Sequence, residues 1–210
     1  MKKMVCLLLV VLWASVAGNA GASVVFQDSF DLENHGVGAL NYAGFTQWSV
    51  SDGTVSGGTV DLIGSPGFFN FLPGNGLYVD MDGSTGNAGK MTTTLNLGVG
   101  AYLLEFELAG KNRDGGFCTD TVYMGLGGLL SKTYSLDNYA PFTLFTESFI
   151  IAAAGLYQLS FEGMGGDNIG MLLDDVKVTM ASNPVPEPAT MLLFGMGLLG
   201  MAGLTRRFKK

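Results

Sequence analysis

Short runs in which apolar and polar residues alternate recur through the middle of this 210-residue chain. Successive side chains of a β-strand point to opposite faces, so each run predicts a strand with one buried and one solvated face. In Tyr102–Ala109, for example, Leu104 and Phe106 share one face. Glu105 and Glu107 share the other face. Clusters of Gly, Asn, Asp and Ser separate the runs, as turns separate strands in antiparallel sheets.

These runs predict ten or eleven strands, and no stretch between residues 23 and 182 has a convincing helical period. The predicted strands are Val24–Phe30, Gln47–Ser51, Thr59–Ile63, Leu77–Met81, Met91–Leu97, Tyr102–Ala109, Thr121–Met124, Lys132–Leu136, Thr143–Ile151, Tyr157–Glu162 and Leu172–Met180. So many short strands in one domain favour two packed antiparallel sheets. We therefore predict an all-β sandwich of the jelly-roll type, flanked by an N-terminal signal helix and a C-terminal transmembrane helix.

Residues 1–22 predict a signal peptide. Lys2 and Lys3 are followed by an apolar stretch and then by small residues at 20–22, which is the order of such a signal. Cleavage after Ala22 and cleavage after Ala20 fit equally well. Either cut predicts an exported protein, with signal peptidase as a partner.

Residues 183–210 have three parts in a fixed order. The linker, residues 183–188, contains Val185, Pro186, Glu187 and Pro188. The apolar segment 189–205 predicts a transmembrane helix, and the basic tail 206–210 begins with Arg206 and Arg207. Because basic residues stay on the cytoplasmic side, the body at 23–182 is predicted to lie outside the cytoplasm.

The apolar segment is short for a permanent membrane anchor. Residues 189–204 would form a helix about 24 Å long, against roughly 30 Å of hydrocarbon in a bilayer. A short span suits a segment that is held briefly and then removed. An ordinary C-terminal membrane helix is the alternative interpretation.

This order of Pro186-Glu187-Pro188, apolar helix and basic end resembles the PEP-CTERM sorting signal of Gram-negative bacteria. That resemblance implies an exosortase-type enzyme as a partner, an inner-membrane precursor and cleavage near the Pro-Glu-Pro motif. It also implies a final location in the cell envelope or extracellular matrix. Proteins with this tail are often linked to exopolysaccharide production, which makes exopolysaccharide a candidate partner.

The body of the protein is strongly acidic. Between Ser23 and Asn183 there are five basic and seventeen acidic residues, which give a net charge of −12. Such a charge repels nucleic acid and favours divalent cations or neutral partners such as sugars. This segment has one Cys and one His, Cys118 and His35, which excludes an internal disulfide and a zinc site built from several Cys and His ligands.

Three segments of the body, Tyr78–Gly89, Tyr102–Gly110 and Gly165–Val176, resemble exported jelly-roll domains that precede PEP-CTERM tails. Those domains are similar to galactose-binding and carbohydrate-binding module folds. The resemblance implies an architecture and sugar binding, without a particular ligand.

A structural calcium ion is the candidate cofactor. Counting by two along the last strand places Asp174 on the same face as Val176 and Val178, which predicts a buried carboxylate. Calcium prefers several oxygen ligands. Its other predicted ligands are Asp28, which shares a phase with Phe26 on the first predicted strand, and Glu33, which lies in the loop that follows. The alternative is that Asp174 caps backbone N–H groups of a neighbouring loop.

Phe68, Phe69 and Phe71 are the candidate ligand-binding residues. They lie in Gly67–Gly76, a stretch with the composition of a loop. Three large apolar rings in an exposed loop indicate a binding or packing role. The alternative is that these rings cap an open end of the sandwich core.

The sequence predicts no catalytic centre. Glu105 and Glu107 would lie about 7 Å apart, inside the range used by inverting glycosidases, but acids on a wet strand face are common. We therefore predict an exported envelope or matrix protein whose non-catalytic sandwich is structural or glycan-binding. A glycan-active hydrolase of the envelope is the alternative.

Overall fold

The computed structural model describes residues 22–112 and 119–181. Strands β1 to β11 span Ser23–Asp28, Ser49–Asp52, Asp61–Gly64, Leu77–Asp80, Gly89–Leu97, Gly100–Ala109, Thr119–Leu126, Leu130–Asp137, Thr143–Ile151, Gly155–Gly163 and Leu172–Met180. A 3₁₀ turn, Glu33–Gly36, lies between β1 and β2. Each predicted strand is present, with ends that differ by a few residues.

Several sequence predictions fall outside the described residues. They are the signal peptide up to residue 21, Cys118, the linker from residue 183, the apolar segment and the basic tail. Within the described ranges, no helix is long and apolar enough to cross a membrane.

The strands form two antiparallel sheets. The first has the order β3-β4-β11-β6-β9, with β1 also paired to β11, and the second has the order β2-β5-β10-β7-β8. From β4 to β11 the chain alternates between the sheets, except at the hairpin that joins β7 to β8. This is the jelly-roll pattern, and the predicted all-β sandwich is confirmed.

The main core lies between the sheets. Phe106 on β6 is fully buried and its ring contacts three aromatic rings, with centroids 5.2 Å from Tyr134, 5.8 Å from Phe145 and 5.0 Å from Phe161. Leu104 and Leu108 point the same way and are also buried. The alternating pattern of this strand therefore identified its core face correctly.

A second, smaller apolar cluster covers the other face of the first sheet. It consists of Ile63, Tyr78, Ala109 and Leu172, with Phe71, Leu72 and Phe142 packed against it. The strand neighbours of its first four members belong to the main core instead, which places the second cluster on the outer face of the sheet. The loop between β3 and β4, residues 65–76, covers this cluster.

The sandwich has two different ends. At the turn end, the turns 97–100, 127–129 and 151–155 meet the start of β1 and the end of β11. At the loop end lie the longer connections 110–112, 138–142 and 164–171, which follow or precede the opposite ends of the strands.

Candidate functional site

The loop 65–76 displays two of the three predicted phenylalanines. The side chains of Phe68 and Phe69 are 51% and 46% exposed, whereas Phe71 packs against the second cluster. The rings of Phe69 and Phe71 are stacked, with centroids 5.6 Å apart and planes 8° from parallel. Phe71 thus packs on the outer face of the first sheet and not on an open end of the main core, while Phe68 and Phe69 present apolar rings to solvent.

The backbone of this loop is held by several hydrogen bonds. The Leu72 amide donates to the Tyr78 hydroxyl at 3.0 Å, and the Phe71 amide donates to the Phe69 carbonyl at 2.8 Å. Phe69 has a left-handed backbone with φ of 50°, a conformation that is uncommon for a bulky residue and occurs where the surroundings enforce it. The backbone at Phe69 is therefore constrained, and its exposed ring stacks on Phe71.

Asn112 connects this loop to a second one that carries an aromatic ring. Its side-chain amide donates to the Phe71 carbonyl at 2.7 Å, and its backbone amide donates to the Asn138 carbonyl at 2.8 Å. The adjacent Tyr139 is exposed. We call Phe68, Phe69 and Tyr139 the aromatic surface. No sequence pattern indicated Asn112, because its role depends on contacts between loops that are distant in the chain.

A cluster of charged residues connects the loop 164–171 to Lys111. The Lys111 Nζ atom lies 3.5 Å from Asp120 Oδ1 and 3.8 Å from Asp167 Oδ2. Asp82 Oδ2 accepts hydrogen bonds from the amides of Gly166 and Asp167 at 2.8 and 3.2 Å. Burial raises the pKa of both Asp82 and Asp120, and the nearby Lys111 opposes this rise for Asp120. The cluster thus connects the loop 164–171 to residues near the ends of β4, β6 and β7.

Two of the predicted calcium ligands already have protein partners. Asp28 accepts hydrogen bonds from the Phe30 amide at 2.9 Å and from Trp48 Nε1 at 3.0 Å. Glu33 is buried, and both of its carboxylate oxygens accept from the Thr46 amide. Burial raises the pKa of Asp28 despite its two hydrogen bonds.

Asp174 is buried, as predicted, with 4% of the residue exposed. The count that placed it with Val176 and Val178 is wrong, because a β-bulge interrupts β11 between Asp174 and Lys177. Asp174 instead lies near Tyr78, a member of the second cluster. Burial, and to a smaller extent the negative charge of Asp174, raises the pKa of Tyr78. Its Oδ1 atom accepts a hydrogen bond from the Asp175 amide at 2.8 Å. The alternative interpretation is that Asp174 caps N–H groups of a neighbouring loop. The observed donor is instead the amide of the next residue, Asp175.

The three carboxylates do not fit a shared calcium ion. In the ranges 22–112 and 119–181, no group of three acidic, His or Cys side chains could hold a metal ion. The negative charges that act on Asp174 come from Asp175, Asp31 and Glu107, whereas Glu33 acts on Asp28. The predicted ligands thus belong to two separate places.

The two glutamates of the hydrolase alternative lie on the outer face of β6. Glu105 Oε2 is 2.9 Å from Lys177 Nζ, so this carboxylate is held in an ion pair. Burial, followed by the charge of Asp175, raises the pKa of Glu107. The ion pair links the bulged strand β11 to β6 and gives a structural reason for Glu105.

Comparison with known families identifies the C-terminal segment. Residues 184–207 match the family described as the PEP-CTERM protein-sorting motif. This chain therefore carries that sorting motif, as its resemblance implied. The match includes Val185, Pro186-Glu187-Pro188, Arg206 and Arg207. No curated protein sequence matches the chain.

Solved structures share the fold of the body. The K3 adhesin domain of Lys-gingipain from Porphyromonas gingivalis W83 is 18% identical with a TM-score of 0.50, and the match covers 77% of this chain and all of that one. The CBM22-1 xylan-binding domain of Paenibacillus barcinonensis Xyn10C is 8% identical with a TM-score of 0.48, over 78% and 97% of the two chains. TmCBM61, solved with β-1,4-galactotriose, is 12% identical with a TM-score of 0.46, over 65% and 90%. At 18% identity, the likeness to the K3 adhesin domain concerns the β-sandwich fold alone.

Proposed function

We propose that this protein is exported and is held in the inner membrane by residues 189–205 until an exosortase-type enzyme cuts it near Pro186-Glu187-Pro188. The matched motif at 184–207 supports this proposal, together with the signal-like residues 1–22. Signal peptidase removes the N-terminal segment. The mature product then contains the domain 23–182, ends near residues 185–188 and resides in the cell envelope or extracellular matrix.

We further propose that the mature domain is a non-catalytic glycan-binding module, with the aromatic surface as its binding site. The observation that carries this proposal is the exposed Phe69 ring, which is fixed by a left-handed backbone and stacked on Phe71. Rigid aromatic rings supply large apolar contact area at a small loss of conformational entropy. The faces of sugar rings offer the apolar C–H groups that such a surface fits.

The charge of the body favours a neutral glycan over an anionic one. A net charge of −12 between Ser23 and Asn183 repels uronate and sulfate groups at low ionic strength. Exopolysaccharide with neutral sugar units is therefore the proposed partner. Acidic polysaccharides should bind only when salt screens the repulsion.

Replacing Phe68 and Phe69 together with alanine should weaken glycan binding. Loss of central aromatic contacts typically costs about 2 kcal/mol or more, which is roughly a 30-fold change in the dissociation constant. The measurement is affinity electrophoresis of the protein in gels that contain a neutral polysaccharide, with galactan, xylan, dextran and the exopolysaccharide of the producing cells as the panel.

Val55→Ala is the matched control, because Val55 is an exposed apolar residue on the loop that follows β2. Thermal melting should show that all variants remain folded. Equal retardation of the double variant and the wild type would contradict the aromatic surface. Release of reducing ends that disappears in Glu105→Gln or Glu107→Gln would favour the hydrolase alternative, and no retardation by any polysaccharide would favour a structural role.

A further inference from the structure

The turn end of the sandwich has an unusual composition. Its three turns with their flanking residues, 97–101, 126–130 and 150–156, contain Gly, Ala, Val, Leu and Ile alone. Turns on a protein surface are ordinarily rich in Asn, Asp, Ser and Pro. These three turns therefore lack the polar side chains that usually form hydrogen bonds with water.

Large apolar side chains at the turn end are exposed. Ile150 and Leu156 are each 73% exposed, and Val99 is 61% exposed. Leu129, also exposed, lies on the turn 127–129, and the exposed Val24 and Val25 follow Ser23 at the start of the adjacent β1. Single exposed apolar residues are normal, but six of them at one end of a small domain indicate a surface that is covered by a partner.

Charged residues begin only farther along the strands. The first ones on β8 and β9 are Lys132 and Glu147, which form an ion pair at 3.2 Å. The first ones on β6 and β11 are Glu105 and Lys177, which form another. Among the described residues, the turn end is thus free of charge, although the body as a whole is strongly acidic.

The chain leaves the sandwich at this same end. Met180, the last residue of β11, lies opposite both Ser23 and Tyr102, and the Ala181 amide donates to the Ala101 carbonyl at 2.8 Å. Only the seven residues 182–188 then precede the apolar segment. Seven extended residues reach at most about 25 Å, so the sequence keeps the turn end within that distance of the start of the segment.

We propose that the turn end rests on the lipid surface of the membrane while the C-terminal segment is inserted. This inference depends on the membrane-held precursor proposed above. Apolar side chains at the headgroup boundary are shielded from water, and a charge-free surface meets no repulsion from anionic lipids. The remaining acidic surface is repelled by such lipids, so the same charges orient the sandwich with its turn end toward the bilayer.

A fluorescent label that reports its lipid environment tests this contact. The full chain, with both native cysteines replaced by serine, carries a nitrobenzoxadiazole label at Leu129→Cys and is placed as one copy per nanodisc of phosphatidylcholine and phosphatidylglycerol. Lipids that carry a doxyl group near the headgroup should quench this label. The same label at Gly86→Cys, on the exposed turn before the far end of β5, should not be quenched.

Added charge should abolish the contact. We expect the Leu129 label to lose its quenching when Val99→Asp and Leu156→Asp are combined, because each carboxylate opposes transfer to the interface and is repelled by the anionic lipid. Thr94→Asp with Thr146→Asp is the matched control, since both threonines are exposed in the middle of strands and add the same charge elsewhere. This control pair should leave the quenching unchanged.

The possible results separate the two proposals. Protein that does not remain with the nanodisc would overturn the membrane-held precursor itself. Protein that remains, with the labels at 129 and 86 equally unquenched and equally solvated, would overturn only the lipid contact. A blue-shifted but unquenched label at 129 would also overturn it, because the turn end would then be covered by protein, either the C-terminal segment or a second copy.

Discussion

Replacement of Pro186, Glu187 and Pro188 by alanine should leave the protein at full length in the membrane fraction. The apolar residues 189–205 and the basic tail would still stop the chain in the bilayer, because neither depends on the Pro-Glu-Pro motif. The mark that the sorting enzyme reads would be absent. Intact mass and fractionation of the producing cells measure the result, with loss of nearly all processed protein as the expected effect.

The control variant changes two residues that directly precede the sorting motif. Ser182→Ala with Asn183→Ala alters two residues just before 184–207 and should leave processing intact. Wild-type protein with a mass that ends near residues 185–188 would agree with the sorting proposal. Wild-type protein that keeps Arg206 and Arg207 in the membrane would contradict it and would favour a permanently anchored envelope protein.

The architecture could be predicted because strand alternation is a local property. On β6 the alternate residues Tyr102, Leu104, Phe106 and Leu108 belong to the main core, while Glu105 and Glu107 face outward, so the pattern contains the orientation of the strand. The same holds for β10, where Leu159 and Phe161 are buried in the main core. The order of the strands within each sheet does not follow from this pattern, because it depends on contacts between strands that are distant in the chain.

The sequence could not predict the position of Asp174 because its count crosses a bulge. Asp175 takes a left-handed backbone with φ of 47°, and this single residue shifts the alternation of β11. A strand period holds only while the ladder is regular. The error moved Asp174 to the wrong face and led to a calcium site that the carboxylates do not form.

The aromatic loop illustrates a different limit. Its composition predicted that Phe68, Phe69 and Phe71 would bind a ligand or cap an open end of the core, whereas the structure exposes Phe68 and Phe69 and packs Phe71 on the outer face of the first sheet. The choice depends on the second cluster, which exists because Ile63 and Tyr78 point away from the main core. Both are apolar residues on strands whose neighbours are also apolar, so alternation could not indicate two buried faces.

The buried Asp174 has a consequence for the stability of the whole domain. Burial, with added repulsion from Asp175, Asp31 and Glu107, raises its pKa from the usual 3.8 to about 8, although the Asp175 amide opposes the rise. Between about pH 4 and pH 8 the folded protein therefore holds a proton that the unfolded chain has released. The folded state binds more protons in this window, so its stability falls as the pH rises, by up to about 1.4 kcal/mol per pH unit.

Asp174→Asn should remove this part of the pH dependence. Asparagine keeps a side-chain oxygen for the Asp175 amide but cannot ionise, so the variant should be several kcal/mol more stable than the wild type at pH 8 and similar to it near pH 4. Urea unfolding of both proteins across this range measures the difference. Asp137→Asn, at the exposed end of β8, removes the same charge from the surface and should shift stability only slightly at every pH. Parallel pH profiles for the wild type and Asp174→Asn would contradict the prediction, because they would mean that this carboxyl ionises equally in the folded and unfolded chains.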